Sequence, residues 1–371
     1  MTTGILRNVT IGFSVLLGVA CGGGDSPEPE PEPEVVVTPA PVGEPWETLD
    51  EWGLFEDAVE QDPSSSVQPY DVISPLFSDY TFKRRFAWIP EGTTVTYRDD
   101  DVWGLPVGTI LVKTFSYPTD LRDLSLGERL LETRLLVRED ETTWSAHTYV
   151  WDEAQTQAVR KVAGDVIPSS WIGEDGEPRT NDYIVPNTNE CEDCHGNKAE
   201  GQQDALGVRT RQLDRDGADG TNQIDRLEGL GWFSSTPTGA AARERLVDPF
   251  GAAPLTDRVR AYLDSNCGHC HTEGGTASES ALLLSHDFTE PSLDEGNWGV
   301  CKTPTSAGGA TCGHTFDIVP GDPDASIFIC RLTSTDPEVR MPPLVSRVPH
   351  DEGIALIREW IAGMSGDCST M

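Results

Sequence analysis

Two pentapeptides carry the residue types and spacing that could do chemistry: Cys191-Glu192-Asp193-Cys194-His195 and Cys267-Gly268-His269-Cys270-His271. Both have the form CxxCH, the covalent attachment site of c-type haem. Its two thiols form thioethers, and the His that follows is placed to ligate the iron. The chain has nine Cys and seven His among 371 residues. At those frequencies roughly 0.004 chance matches are expected, against two found. Zinc ribbons also use CxxC pairs, but typically about 15–20 residues apart, whereas 72 residues separate Cys194 from Cys267. Zinc also gives no reason for a His to follow both pairs. The expectation is two c-type haems, held by Cys191 and Cys194 and by Cys267 and Cys270, with His195 and His271 on the irons.

The second motif lies between two predicted helices. Leu255–Ser265 places Val259, Tyr262 and Leu263 on one face and runs into Cys267. Asp351 and Glu352 open a last helix whose Ile354, Ile357, Trp360, Ile361 and Met364 recur at helical spacing. Met341-Pro342-Pro343 lies between them. Of the four methionines, Met1 begins the chain, Met371 ends it and Met364 falls on the helix core face, which leaves Met341 as the candidate sixth ligand to the second iron. This order resembles a class I cytochrome c over residues 252–365, and the resemblance likewise assigns His271 and Met341 to the iron. Between Gly196 and Asn266 there is no His or Met. A sixth ligand for the first haem therefore comes from elsewhere, with His350 the first to test, then His314, His286 and His147. Otherwise that site is open or takes a weak ligand such as Lys198 or water.

Composition limits what such a centre can serve. There are 62 acidic against 27 basic residues, a net charge of −35, which excludes nucleic acid as a partner and points to redox proteins with basic surfaces. The hydrophobic fraction is 37%, low for a globular chain. The start reads as an export signal over 1–20: Arg7, an apolar stretch Val9–Ala20, then Cys21. Gly18-Val19-Ala20-Cys21 resembles a bacterial lipobox, which implies lipidation of Cys21 and membrane attachment by that lipid alone. Residues 21–45, rich in alternating Pro and Glu, are expected to be a disordered tether reaching about 75 Å at about 3.1 Å per residue. The place expected is the periplasm, or the outer membrane of a Gram-negative bacterium.

Residues 46–186 read as a β-rich, sandwich-like domain. Leu131, Thr133, Leu135 and Val137 alternate with Glu132, Arg134, Leu136 and Arg138. Lys83–Ile89, Thr94–Arg98, Thr109–Tyr117 and Ser145–Trp151 are further strand candidates, with a short helix over Glu153–Lys161. The expected fold class is thus α+β and multidomain: this β domain, a first haem segment 187–251 with a helix near Asn222–Leu230, and a cytochrome-like domain 252–371, the haem modules being mostly α-helical. Cys301, Cys312, Cys330 and Cys368 are expected to oxidise in an exported chain, preferably as Cys301–Cys312 and Cys330–Cys368, although three pairings are possible.

The whole is similar to a family of exported dihaem c-type cytochromes often encountered beside a parallel β-helix protein. The stretches that carry the resemblance are Pro75-Leu76-Phe77-Ser78-Asp79-Tyr80, Val185-Pro186-Asn187, Asn266–His271, Val319-Pro320-Gly321-Asp322-Pro323 and Met341-Pro342-Pro343. The resemblance implies haem binding and electron transfer. An electron carrier is the first expectation. The alternatives are a dihaem peroxidase or dehydrogenase haem subunit with an open first haem, and a binding module in which the β domain grips a polysaccharide or protein.

Overall fold

Strand periodicity in the first half becomes an antiparallel sheet. In the computed structural model, which describes residues 34–197, 202–203, 205–288, 295–305, 311–344 and 346–369, a small ladder β1 (Phe55–Asp57) and β2 (Asp62–Pro63) comes first. Then β3 (Gln68–Tyr70), β4 (Phe82–Trp88), β5 (Ile110–Pro118), β6 (Glu128–Arg138), β7 (Trp144–Trp151) and β8 (Ala158–Arg160) form a six-stranded sheet in chain order. A hairpin of β9 (Asp165–Ile172) and β10 (Pro178–Val185) packs beside it. β11 (Gly196–Asn197) pairs with β12 (Gln202–Gln203). Two strand-region expectations change. Glu153–Lys161 is a turn followed by β8, because Asp152 caps the turn through Thr156 and Ala158 is drawn into the sheet. Thr94–Arg98 makes only isolated bridges, Val95 to Phe233 and Thr96 to Gly104.

The sheet has a core on each face. Ile110, Val112, Leu135, Tyr149 and Trp151 pack under Val37, Leu49, Trp52 and Leu54. Trp52 Nε1 donates to Tyr149 Oη at 2.6 Å. The C-terminal end of the expected tether is thus ordered: Val37 is in the core and Thr38 N donates to the Trp52 carbonyl. The rest of that tether, the export signal and Cys21 lie outside the described residues. On the other face Ala87, Leu111 and Trp144 pack with Val208, Leu213, Ile224, Leu227 and Trp232. The segment around the first CxxCH therefore shares a core with the sheet. From Val35 onward the chain is one compact unit.

The half that carries both CxxCH motifs is not the mostly helical module expected; among the described residues strand slightly exceeds helix. Its helices are short: α1 (Cys191–His195), α2 (Thr210–Leu213), α3 (Gln223–Gly229), α4 (Leu255–Leu263), α5 (Ile327–Thr333) and α6 (Asp351–Ala362). Only α4 and α6 have the sustained 3.6-residue apolar pattern. The stretch between α4 and α5 is broken by Gly268, Gly274, Gly275, Gly299, Pro304, Pro320, Gly321 and Pro323, which favour turns over helix. Even so, α4 and α6 do pack together, with Val259, Tyr262, Leu263, Ile357, Trp360 and Ile361 in one cluster. A Cβ at Gly353 would lie 2.3 Å from Tyr262 Oη, so glycine sets how closely these helices approach.

Candidate haem attachment site

Each CxxCH is placed by a local device. Asn187 caps a turn over Thr188–Glu190: its Oδ1 accepts from the amides of Asn189 and Glu190, while Glu190 Oε2 accepts from the Asn187 amide at 2.8 Å. This capping box launches α1, which is the first motif itself. The second follows α4 through a π turn, Asp264–Gly268, and closes on itself where His271 N donates to the Cys267 carbonyl at 2.9 Å. Gly268 is required there, since a Cβ would meet Ser285 Cα at 2.7 Å.

Stretches far apart in sequence converge on these turns. Asn266 Oδ1 accepts from Phe77 N at 2.7 Å. Asp79, 2% exposed, accepts from Arg347 N at 2.6 Å, Val348 N at 3.0 Å, Ser346 Oγ at 2.8 Å and Asn181 Nδ2 at 2.8 Å. Tyr80 Oη accepts from Asp351 N at the start of α6. The Pro75–Tyr80 stretch thus ties the sheet to the turn after α4 and to the start of α6.

The two motifs touch. Thr276 Oγ1 donates to the Asp193 carbonyl at 2.9 Å, and Cys270 Sγ lies 3.7 Å from that oxygen. Ligand atoms of Cys194, His269 and Cys270 all lie within 4.8 Å of one another. Beside them is a cavity of about 310 Å³, lined by Cys191, Cys194, His195, Gly268 and His269 on one side and by the sheet on the other. That is within the usual size of small-ligand sites. Its sheet wall is cationic. Arg85, Lys113 and Arg134 are direct cross-strand neighbours on β4, β5 and β6 and point to one face. Arg85 pairs with Asp71 at 3.0 Å and Arg134 with the fully buried Glu132. Lys113 Nζ sits 4.9 Å from the Phe115 ring centroid, and burial, with Arg85 and Arg134 nearby, holds its amine well below the usual range. The sequence signal for this row was present in the strand alternation, which puts charge on an inward face, but the same alternation reads equally as a solvated face.

The four motif thiols are all reduced and half-buried, while the other four cysteines among the described residues are oxidised. The pairs are Cys301–Cys368 and Cys312–Cys330, not the expected Cys301–Cys312 and Cys330–Cys368. Burial raises the Cys191 thiol and pushes Cys267 up to about 12, while the hydrogen bond from Cys194 lowers the Cys270 thiol, so the second pair has one favoured thiolate. His271 Nδ1 shares a hydrogen bond with Ser280 Oγ at 3.0 Å, an anchor that fixes the ring and leaves Nε2 for a metal. These residues fit a covalently held haem. Met341 donates its amide to the Arg331 carbonyl at 2.9 Å, and the Arg331 charge acts on His271.

The sixth-ligand candidates separate. His350 is stacked on Phe77 at 4.0 Å and bonded to Tyr262 Oη at 2.9 Å. His286 sits between Glu244 and Arg260. His314 is half-buried on a turn, its amide donating to the Thr311 carbonyl. None of these three lines the cavity. His147 itself lines the cavity, but its ring lies 6.1 Å from that of Trp52, a residue of the core on the sheet's opposite face. Lys198 lies outside the described residues. Compared with family models, curated proteins and solved structures, the chain matches none.

Burial lowers both His147 and His350 to about 4, with the charges of Arg160 and Lys83 adding to the effect. In the unfolded chain both titrate near 6.5. As pH falls from about 6.5 to about 4, the unfolded state takes up the protons first. The stability these neutral rings contribute is therefore complete above 6.5 and lost towards 4, roughly 1–3 kcal/mol each. Urea midpoints at pH 7, 5.5 and 4.5 should fall in that order, and His147→Gln and His350→Gln should each flatten the fall. A midpoint constant from pH 7 to 4.5 contradicts this.

Proposed function

We propose that this chain is an exported dihaem c-type cytochrome that passes electrons between partner proteins. Cys191 and Cys194 hold the first haem and Cys267 and Cys270 the second, with His195 and His271 as proximal ligands and Met341 as sixth ligand to the second iron. Bound there, the haems supply one-electron redox chemistry. The observation that carries this reading is the contact between the two CxxCH turns, at one cavity, with all four of their thiols reduced beside two disulfides. Adjacent attachment turns suit a carrier, and the surplus of acidic side chains suits a basic redox partner whose docking weakens as salt rises. Lipidation at Cys21 would hold the protein at a membrane surface.

The trio Cys194, His269 and Cys270 favours a second reading, a zinc-type site in a haem-free chain. Expression in a host that attaches c-type haem decides between them. Intact mass and pyridine haemochrome spectra should give two covalent haems per chain, one of which is lost in Cys191→Ser/Cys194→Ser. A chain with no covalent haem that binds zinc overturns the cytochrome reading.

A further inference from the structure

We infer that His269, inside the second CxxCH motif, is the sixth ligand to the iron of the first haem. This rests on the dihaem reading and names a residue that reading leaves open. The ligand must come from a nitrogen donor at the cavity that holds Cys191, Cys194 and His195. Arginine stays charged and does not ligate. The histidines at 286, 314 and 350 are held elsewhere, and His147, although it lines the cavity, has its ring beside Trp52 of the opposite core and its Nε2 in a 3.0 Å hydrogen bond with Ser145 Oγ. That leaves His269 and Lys113.

Three observations favour His269. One of its ring nitrogens lies in the same 4.8 Å cluster as the sulfur of Cys194, the attachment thiol of the first haem. His269 lines the cavity, whereas His271, two residues on, is held by Ser280. Finally, the hydrogen bond that now occupies the ring goes to Cys270. Once Cys270 is a thioether its sulfur is only a weak acceptor, and the ring is released. One five-residue motif then serves both centres, through His271 for its own haem and His269 for the other.

The test uses the full-length holoprotein. Covalent haem is counted first, because its absence means that the dihaem reading itself has failed and this inference with it. With two haems present, the oxidised wild type should give two low-spin EPR signals, and the reduced form should bind no carbon monoxide. In His269→Ala one signal should become high-spin and one haem per chain should bind carbon monoxide. Added imidazole should restore the low-spin state, which a purely structural lesion would not allow. Lys113→Met should leave both signals unchanged. If His269→Ala does not accumulate, His269→Met covers the same ground: both haems stay low-spin and the lower midpoint potential rises, as exchange of His for Met requires. The inference is overturned by an open, high-spin haem in the wild type. It is equally overturned by two unchanged low-spin signals in His269→Ala, by loss of a signal in Lys113→Met instead, or by an unmoved potential in His269→Met.

Discussion

Glu132→Ala should destabilise the fold by about 3–5 kcal/mol, the cost of leaving a buried charge without its partner. Glu132 is fully buried. Its carboxylate accepts from Arg134 Nε at 2.8 Å and Nη2 at 2.5 Å, and from Tyr183 Oη at 2.5 Å. It also offsets the row of Arg85, Lys113 and Arg134 along the cavity wall. Removing it leaves Arg134 beside two cations and Tyr183 with a buried hydroxyl and no acceptor. Glu132→Gln keeps an acceptor for Tyr183 but not the charge, so its loss should be smaller. A surface pair is the control: Arg179–Asp175, each about half-exposed, should give well under 1 kcal/mol in Arg179→Ala. Urea unfolding of the three variants measures this. A loss below about 1 kcal/mol for Glu132→Ala means the row is balanced by something other than Glu132.

What could be read from sequence follows the range of each signal. The CxxCH pattern is contained within five residues, so it is legible wherever it occurs. The apolar recurrence of α4 and α6, and the alternation along β4 to β7, are likewise local. Their meeting partners are not. Nothing near Asp193 says that it accepts from Thr276, and nothing near Phe77 says that its amide finds Asn266. The segment after the first motif looks weak by itself because Val208, Leu213, Ile224, Leu227 and Trp232 bury against the sheet rather than one another. Val37 reads as the end of a Pro/Glu tether because its core, under β5 to β7, is built from residues that follow it. The helical expectation for the haem half generalised from two true helices to loops that Gly and Pro keep irregular. His269 did not enter the ligand candidates because it stands inside the motif, at a position to which CxxCH assigns no role.

The disulfides are the other large expected effect. Four cysteines allow three pairings, and spacing favours the short loop, 301 to 312. The fold instead joins residue 301 to 368 with Cα atoms 5.1 Å apart, and 312 to 330 at 6.6 Å. The reason is packing: Val300 and Ile318 sit in the core cluster of α4 and α6 with Cys301 against it, and Gly321 N donates to the Ile361 carbonyl, bringing the chain end back beside Cys301. Trypsin separates the alternatives. Cleavage after Lys302, Arg331 and Arg358 should give a peptide ending at Lys302 joined to the final peptide Glu359–Met371, while Thr303–Arg331 contains both Cys312 and Cys330 and closes on itself. The pairing 301 to 312 with 330 to 368 would tie all three peptides into one species. The bridges also differ in worth. Cys301–Cys368 spans a separation of 67 residues and Cys312–Cys330 one of 18, so by loop entropy the double serine variants should lose about 4 and about 3 kcal/mol. Both staple the small core that carries α5 and, through the Arg331 carbonyl, Met341. Equal urea midpoints for Cys301→Ser/Cys368→Ser and the wild type would mean that this core holds its chain end without the cross-link.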